Sequence, residues 1–317
     1  MAADSIFIIS ATQPRVAPLR GRASAIRRAM ADYWALTKPE INLLIAIATC
    51  TGFYLAVPGP LPEFPGLRLV HTLLGTLLVA SGAGTLNQYI ERRFDAQMRR
   101  TARRPLAAGR LRAAAVLRFG IALSAIGCIY LATAVNVLAS LLALLTLLSY
   151  LFIYTPLKRK TPLCVLVGAL PGAVPPLIGW AAASGKLSFE AWVLYAMLFL
   201  WQFPHFMAIA WMYREDYDRA GYLVLPHALT RVSFVTLQTI LPLLTLLPIS
   251  LLAVSGGRPS FLSGVGALLL SLGFLYYGAQ FVRRRSSSTA RRLLLASVIY
   301  LPSLSVLAVH LRGSRIL

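Results

Sequence analysis

Long apolar segments alternate with short polar segments along most of the chain. Each apolar segment holds about 20 residues with few charges, the length that an α-helix needs to cross the hydrocarbon core of a bilayer. We predict membrane-spanning helices at residues 41–57, 69–89, 113–135, 137–153, 162–183, 189–213, 232–254, 261–282 and 293–311. The pattern therefore predicts an all-α, polytopic membrane protein with about nine transmembrane helices.

Proline residues interrupt the fifth of these segments. Pro171, Pro175 and Pro176 lie near its middle, and proline inside a helix removes a backbone donor and kinks or ends the helix. A broken helix at membrane depth is tolerated only where protein or a cavity satisfies the freed backbone groups. We therefore expect the fifth span to be broken and to border a substrate chamber.

Positive charge falls almost entirely on one side of the predicted spans. The chain has 31 lysines and arginines against 10 acids, a net charge of +21, and most of these bases precede the first span or follow even-numbered spans. Because basic loops remain in the cytoplasm, the N-terminus is predicted to be cytoplasmic and the C-terminus outside. Membrane topology thus explains the charge, and no nucleic-acid partner is expected.

The first 38 residues contain arginines, alanines and few acids. This composition fits a cytoplasmic arm that its positive charge retains, and it also fits a mitochondrial transit peptide. We favour a cytoplasmic N-terminal arm, residues 1–38, of a bacterial plasma (inner) membrane protein over a mitochondrial inner-membrane protein, because retention requires no cleavage.

Three oxygen-bearing side chains end the second apolar segment. Asn87, Glu91 and Asp95 are spaced four residues apart, so on a helix they share one face. Amide and carboxylate oxygens suit Mg²⁺, which usually takes one or two carboxylates together with substrate phosphates. The arginines that follow, whose guanidinium groups suit phosphate oxygens, are Arg100, Arg103 and Arg104. Together these residues predict a metal and diphosphate site.

The same acids could instead pair with neighbouring bases such as Arg92 or Arg99, with the arginines serving only membrane topology. A second acidic group favours the site. The stretch WMYREDYDRAGY, residues 211–222, ends the sixth apolar segment at the same predicted membrane face. This indicates a diverged internal repeat, so residues 39–317 are expected to form a single transmembrane domain of two helical halves.

The stretch 87–109, which ends in RTARRPLAAG, resembles the first aspartate-rich motif of the UbiA superfamily of intramembrane prenyltransferases, which are bundles usually of nine spans. More narrowly, the chain resembles the protohaem IX farnesyltransferase branch of that superfamily. The segments that carry this narrower resemblance are DYWALTKPEIN, YTPLKRKTPLCVLVGALPGAVPPLIGW, WQFPHFMAIAWMYREDYDRAGY and ARRLLLASVIYLP. WQFPHF is the most specific of them.

The resemblance implies transfer of the farnesyl group of farnesyl diphosphate to the 2-vinyl group of protohaem IX (haem B), with addition of water, giving haem O and diphosphate. Haem B is then a substrate, Mg²⁺ is expected as two ions, and a haem A synthase is a candidate partner. Two alternatives stay open: a UbiA-type prenyltransferase acting on a quinone precursor, and a non-catalytic haem carrier or transporter.

Spacing and resemblance together assign roles to individual residues. The expected metal ligands are Asn87, Glu91, Asp95, Glu215 and Asp216. The expected catalytic residues are Asp95, Arg100, Arg104, Lys158 and His205. The expected substrate contacts are Arg103, Tyr154, Lys158, Trp201, Phe203 and His205. The aromatic rings among these would shield an allylic cation with their π faces.

His205 lies inside the sixth span, where an ionisable side chain is functional by default. It would ligate haem iron, bind a propionate or move a proton, and the alternative is a structural hydrogen bond to a neighbouring helix. Two positions depart from the resemblance: Glu91 stands where bacterial members usually have aspartate, and Cys164 stands where asparagine is common.

Overall fold

The structure is a computed structural model that describes residues 19–57, 64–226, 228–255 and 261–313. These residues form a bundle of α-helices. In chain order the helices are α1 (Leu19–Leu36), α2 (Pro39–Ala56), α3 (Gly66–Asp95), α4 (Ala113–Ala134), α5 (Val137–Leu148), α6 (Thr155–Leu157), α7 (Cys164–Gly172), α8 (Pro175–Ser184), α9 (Phe189–Met212), α10 (Arg214–Arg219), α11 (Ala228–Ser255), α12 (Phe261–Arg284) and α13 (Ser287–Gly313).

Nine helical segments within these described ranges are long and apolar enough to cross a membrane. Their outward faces carry large exposed apolar side chains such as Ile129, Leu145 and Phe152. So much exposed apolar surface would be unfavourable in water and suits lipid. The prediction of an all-α integral membrane protein is therefore confirmed. Residues 1–18 of the predicted arm lie outside the described residues, so the division into an arm and one domain stays a prediction.

Helix α3 extends further than the predicted second span, which ended at residue 89. It runs from Gly66 to Asp95, about 45 Å at 1.5 Å per residue, so its last turns reach beyond the hydrocarbon core. Arg92 and Arg93 in the final turn favour this extension because cations suit a helix C-terminus. The acidic stripe thus lies on a continuous helix.

The fourth span also continues past its predicted end at residue 153. A π-helical turn, Ser149–Tyr154, joins α5 to α6, and the Thr155 hydroxyl donates to the Tyr150 carbonyl at 2.8 Å. The extra residue in a π-helical turn rotates everything that follows it, and such turns are frequent at functional sites. Here the turn directs Thr155 and Lys158 towards α3.

The fifth span is broken, as the prolines predicted. Helix α7 ends at Gly172 and α8 begins at Pro175. Gln202, buried on α9, donates from Nε2 to the Ala169 carbonyl at 3.1 Å and ties α7 to α9 beside the break. No residue of α7 or α8 lines the cavity described below. A substrate chamber bordered by this span therefore stays a prediction.

Helices α2 and α8 pack against each other at unusually short distance through two glycines. A Cβ atom at Gly179 would overlap the Thr49 carbonyl oxygen, and one at Gly52 would overlap the Pro176 carbonyl oxygen. Small residues allow such close approach between membrane helices. This contact joins α2, the first membrane-spanning helix, to α8, the second part of the broken span.

Candidate active site

The three oxygen-bearing side chains of α3 are buried together on one face of the helix. Asn87 is 2% exposed, Glu91 6% and Asp95 1%. Carboxylates are seldom this buried unless they are paired, because transfer of an isolated charge from water is unfavourable. Their burial therefore requires partners nearby.

Two basic side chains supply those partners. Lys158 Nζ lies 2.8 Å from Glu91 Oε1, and Arg104 Nη1 lies 2.9 and 2.8 Å from the two oxygens of Asp95. Burial acts to lower the pKa of Lys158, but the Glu91 carboxylate outweighs it and holds that pKa well above its ordinary value. The structure thus places two buried ion pairs side by side on α3.

The alternative that the acids pair with their immediate neighbours is wrong in its partners. Arg92 donates to the Tyr89 carbonyl at 2.6 Å and lies over the Tyr89 ring. Within the described part of the chain, no ion pair joins Arg92 or Arg99 to Glu91 or Asp95. Helix geometry explains why Arg92 does not reach Glu91, because adjacent residues on a helix point in different directions. Arg99 lies beyond the end of α3, where its backbone N–H donates to Asp216.

A third cation at the site, Lys38, was not assigned a role from the sequence. Its Nζ lies 3.1 Å from Asn87 Oδ1, and burial, followed by the charges of Arg104 and Lys158, lowers the pKa of Lys38 to about 7. The segment DYWALTKPEIN contains this lysine, but a distance of 49 residues along the chain gives no local periodicity that could link it to Asn87.

The backbone of Lys38 is strained. Its φ of 54° and ψ of 62° lie in the left-handed region, which is unfavourable for a residue with a side chain and particularly before proline. Strain of this kind persists where surrounding structure imposes it, and it clusters at functional sites. The strained turn between α1 and α2 thus directs the Lys38 side chain to the stripe.

A cavity of about 430 Å³ opens beside Glu91, within the size range of ligand pockets. The residues that line it are Ile90, Glu91, Phe94, Thr155, Pro156, Arg159, Lys160 and Tyr222. Its two cations, Arg159 and Lys160, are exposed, and the Arg159 guanidinium lies 4.3 Å above the Phe94 ring. The cavity therefore combines a positive rim with one buried carboxylate.

The Tyr222 hydroxyl is a second feature that sequence reasoning missed. It is buried beside the Glu91 carboxylate but makes no hydrogen bond of ordinary length and angle among the described residues, although buried hydroxyls usually have one. Burial, followed by the Glu91 carboxylate, raises the pKa of Tyr222, so the group stays a donor. The Leu223 N–H donates to the Lys158 carbonyl at 2.7 Å, which holds this turn against the site.

The acids of the second group occupy different positions. Asp216 accepts the backbone N–H groups of Arg99 and Arg100, each at 3.1 Å, and the Arg219 Nη1 at 3.0 Å. Burial acts to raise the pKa of Asp216, but these donors outweigh it and lower that pKa. The structure brings Asp216 to the loop after α3, whereas the Glu215 side chain is 76% exposed and points away.

The remaining predicted diphosphate ligands lie at the same rim. Arg100 and Arg103 are exposed, and the Arg100 guanidinium lies 4.9 Å above the Tyr213 ring. Lys158 Nζ lies 4.6 Å above the Tyr154 ring. Tyr154 thus borders the buried ion pairs, while Arg100 and Arg103 remain accessible for an anion that approaches from water.

His205, Trp201 and Phe203 lie deeper, on α9. His205 Nδ1 lies 2.7 Å from Ser297 Oγ, and Trp201 stacks on the imidazole at 4.7 Å while donating to the Ser297 carbonyl at 2.8 Å. Phe203 is buried edge-on against Phe199. His205 precedes the end of α9 by two turns, so it lies about 10 Å below the rim. The polar contacts of His205 and Trp201 are with Ser297 on α13 and not with the acidic stripe of α3.

The donor set on α3 suits Mg²⁺ in chemistry. Among the residues that the structure describes, no three histidine, cysteine or acidic side chains converge closely enough to hold a metal by themselves. The oxygens of Asn87, Glu91 and Asp95 each already face a cation of the chain. These oxygens therefore lie where they compensate positive charge. Such a set fits an ion that takes its other ligands from water and phosphate. Two ions with acids from both halves stay a prediction.

Comparison with known proteins identifies the family of the chain. The profile of the UbiA prenyltransferase family matches residues 45–300. The chain is 48% identical to the protoheme IX farnesyltransferase of Solibacter usitatus, covering 86% of this chain and 96% of that protein. It is 44% identical to the protein of that name from Salinibacter ruber, over 87% and 96%. The mitochondrial Arabidopsis thaliana protein is 37% identical, over 91% and 66%.

Solved structures show the same fold at low identity. A structure described as digeranylgeranylglyceryl phosphate synthase matches with a TM-score of 0.71 and 15% identity, over 90% of this chain and 99% of the other. A UbiA homologue from Archaeoglobus fulgidus bound to GPP and Mg²⁺ matches with a TM-score of 0.61 and 13% identity, over 87% and 99%. By its sequence over nearly its whole length, and by a bundle whose buried acids lie at one rim, this chain belongs to the UbiA prenyltransferase family.

Proposed function

We propose that this prenyltransferase transfers the farnesyl group of farnesyl diphosphate to the 2-vinyl group of protohaem IX, with addition of water, to give haem O and diphosphate. The observation that carries the proposal is the identity of 44–48% with two bacterial proteins named protoheme IX farnesyltransferase. The buried ion pairs beside a cationic cavity support it independently, because a departing diphosphate needs positive charge in a site that excludes water.

In this proposal, Lys158, Arg104 and Lys38 hold the diphosphate end of the substrate. Each of these cations contacts an oxygen of the α3 stripe, and each can turn its remaining N–H donors to phosphate oxygens. The Tyr222 hydroxyl, which makes no hydrogen bond of ordinary length and angle among the described residues, is a further donor. Arg100 and Arg103 attract the anion at the rim.

Mg²⁺, when held by Asn87, Glu91 and Asp95, would neutralise charge on the leaving diphosphate. In this proposal Asp216 is not a metal ligand, because its two oxygens accept the backbone N–H groups of Arg99 and Arg100. It would thereby fix the arginine loop over the site. Glu215, which is exposed, would reach a metal only after the α9–α10 connection moves.

The reaction then proceeds by ionisation. The C1–O bond of farnesyl diphosphate breaks and its electron pair leaves with the diphosphate. The terminal carbon of the vinyl group attacks C1 with its π electrons, the new cation forms on the carbon next to the porphyrin ring, and water adds there and loses a proton. The Tyr154 ring beside Lys158 and the Trp201 and Phe203 rings deeper in the bundle would shield positive charge along this path.

Haems extracted from cells that express the chain test the proposal. We expect a more hydrophobic haem, with the mass of the hydroxyethylfarnesyl product, in a host that supplies farnesyl diphosphate and protohaem and lacks its own enzyme. Recovery of unmodified haem B alone, together with prenylation of a quinone precursor such as 4-hydroxybenzoate in membranes of the same cells, would favour the quinone alternative instead.

Replacement of His205 by alanine is expected to abolish haem prenylation while leaving Mg²⁺-dependent binding of farnesyl diphosphate. Nδ1 is engaged by Ser297, which leaves Nε2 as the ring nitrogen for haem iron, a propionate or a proton. The loss of an acid–base group would lower turnover by about 10²- to 10⁴-fold. Extracted haem products measure the first effect, and the thermal shift that farnesyl diphosphate with Mg²⁺ induces measures the second.

Ser297→Ala is the matched control for that experiment, because it removes the Nδ1 partner and keeps the imidazole. It should retain far more activity than His205→Ala. Wild-type activity in His205→Ala would assign a purely structural role to the histidine.

The proposed location is the bacterial plasma membrane, with a cytoplasmic N-terminus and an outside C-terminus. The concentration of arginine and lysine at the rim that carries the stripe supports this orientation. Accessibility of tags at the two termini in inside-out vesicles would test it. A haem A synthase bound beside the chain is also proposed, and copurification from detergent would test that association.

A further inference from the structure

Helix α1 carries an apolar stripe that no part of the described chain covers. Ile26, Met30 and Trp34 are 57%, 68% and 66% exposed, and their spacing of four residues places them on one face of the helix. Arg27 borders this face and Arg28 lies on the far side of the helix, whose sequence LRGRASAIRRAMADYWAL contains four arginines and one aspartate. This is the pattern of an amphipathic helix at a membrane surface.

Only the last turn of α1 is docked on the bundle. Leu36 is fully buried, the Tyr33 ring packs edge-on against Phe119 at 5.0 Å, and Asp32 pairs with Arg110 at 2.9 Å. Residues 24–31, by contrast, are all exposed. An isolated helix of this length is only marginally stable in water, so a further surface is needed to account for the part that projects from the bundle.

The position of α1 next to the first membrane-spanning helix identifies that surface. Two residues separate it from α2, which begins at Pro39 and is a membrane span. At the start of α2, Ile41 and Leu43 are already 52% and 63% exposed and face lipid. The stripe that ends at Trp34 is therefore continuous in sequence with a lipid-facing surface.

We propose that α1 lies in the plane of the cytoplasmic membrane surface, with Ile26, Met30 and Trp34 inserted between lipid headgroups and acyl chains and with Arg27 bound to anionic phosphates. Arg27 flanks the stripe, whereas Arg28 lies nearly opposite it and faces water, since successive residues on a helix are 100° apart. A long arginine side chain beside the stripe extends towards headgroups while its stem covers apolar surface. An anionic lipid surface thus suits both the stripe and the arginine that borders it.

Depth measurements on the full chain test this proposal. A nitroxide would be attached at Met30→Cys or, on the opposite face, at Ala35→Cys, and the protein reconstituted into vesicles of phosphatidylcholine and phosphatidylglycerol at a ratio of 3:1. Wild-type protein treated in the same way corrects for labelling of the native cysteines. Collision of the label with oxygen reports lipid, and collision with a water-soluble nickel chelate reports water.

We expect the label at Met30→Cys to collide with oxygen and to show several-fold lower nickel accessibility than the label at Ala35→Cys. Equal nickel accessibility at the two positions would place α1 in water and overturn the proposal. A label at Met30→Cys that is immobilised and inaccessible to both reagents would also overturn it, since a protein surface, such as a second copy of the chain, would then cover the stripe.

The arginine is tested separately with Arg27→Gln in the Met30→Cys background, and Arg28→Gln is the matched control on the water-facing side. In the mixed vesicles Arg27→Gln should increase the nickel accessibility of the label at Met30→Cys, and Arg28→Gln should not. Protein that keeps both arginines should show the same increase in vesicles of phosphatidylcholine alone. Equal nickel accessibility in Arg27→Gln, in Arg28→Gln and in phosphatidylcholine vesicles would refute recognition of anionic phosphate, and the first comparison alone would then decide whether the apolar stripe is inserted.

Discussion

Asp95→Asn is expected to abolish prenyl transfer while leaving the protein folded. The substitution keeps the volume of a side chain that is 1% exposed but removes the charge that pairs with Arg104. If Asp95 also holds Mg²⁺ as proposed, the variant loses several kcal/mol of transition-state stabilisation, equivalent to a fall in turnover of about a thousandfold or more. Haem products from membranes measure this loss.

The fold should survive because an asparagine oxygen can still accept from Arg104, whose side chain is 25% exposed and keeps access to water. The loss of a charged hydrogen bond would lower the free energy of unfolding by about 1.5–3 kcal/mol. A monodisperse elution profile in detergent and a modest shift in the thermal midpoint check this.

Asp218→Asn is the matched control. Asp218 lies at the same rim, but its side chain is 54% exposed and pairs with Arg231 at 3.3 Å. The same chemical change there should leave turnover within about twofold of wild type, as expected for an exposed ion pair. Full turnover in Asp95→Asn would show that Asp95 takes no part in the reaction. Equal losses of turnover in the two variants would mean that the total charge at the rim, and not Asp95 itself, is responsible.

Gly179→Ala is expected to destabilise the fold by forcing α2 and α8 apart. The added Cβ would overlap the Thr49 carbonyl oxygen and lie 2.8 Å from the Phe53 nitrogen, both backbone atoms of α2. Backbone atoms cannot rotate away as a side chain does, so α2 and α8 must separate. Overpacking of this kind lowers the free energy of unfolding by about 1–3 kcal/mol and occasionally more. Thermal unfolding in detergent measures the change.

Gly273→Ala provides the matched comparison, since Gly273 also lies within a membrane helix but a Cβ there meets nothing within 4 Å. Alanine favours helix over glycine by about 1 kcal/mol, so this variant should be as stable as wild type or slightly more stable. Equal stability of Gly179→Ala and Gly273→Ala would mean that α2 and α8 do not approach as closely as the structure has them.

Several features of the fold follow from sequence because they depend on residues close together in the chain. The lengths of the apolar segments predict the membrane spans, and Pro175 predicts the break before α8 because proline lacks a backbone donor. The spacing of Asn87, Glu91 and Asp95 predicts a shared face because helix periodicity is local. The predicted second and fourth spans stopped short of the helical segments, since charged residues can continue a helix beyond the hydrocarbon and a π-helical turn leaves no periodic signal.

The partners of the buried acids were decided by tertiary structure alone. Glu91 pairs with Lys158, 67 residues away, and Asn87 with Lys38, 49 residues away, while Asp216 holds the backbone of the arginine loop. The sequence by itself determined the membrane bundle, the face that carries the acids and the family to which the chain belongs. Which cation contacts which oxygen depends on how helices far apart in the chain pack against one another. The periodic pattern of residues within a single helix contains no information about that packing.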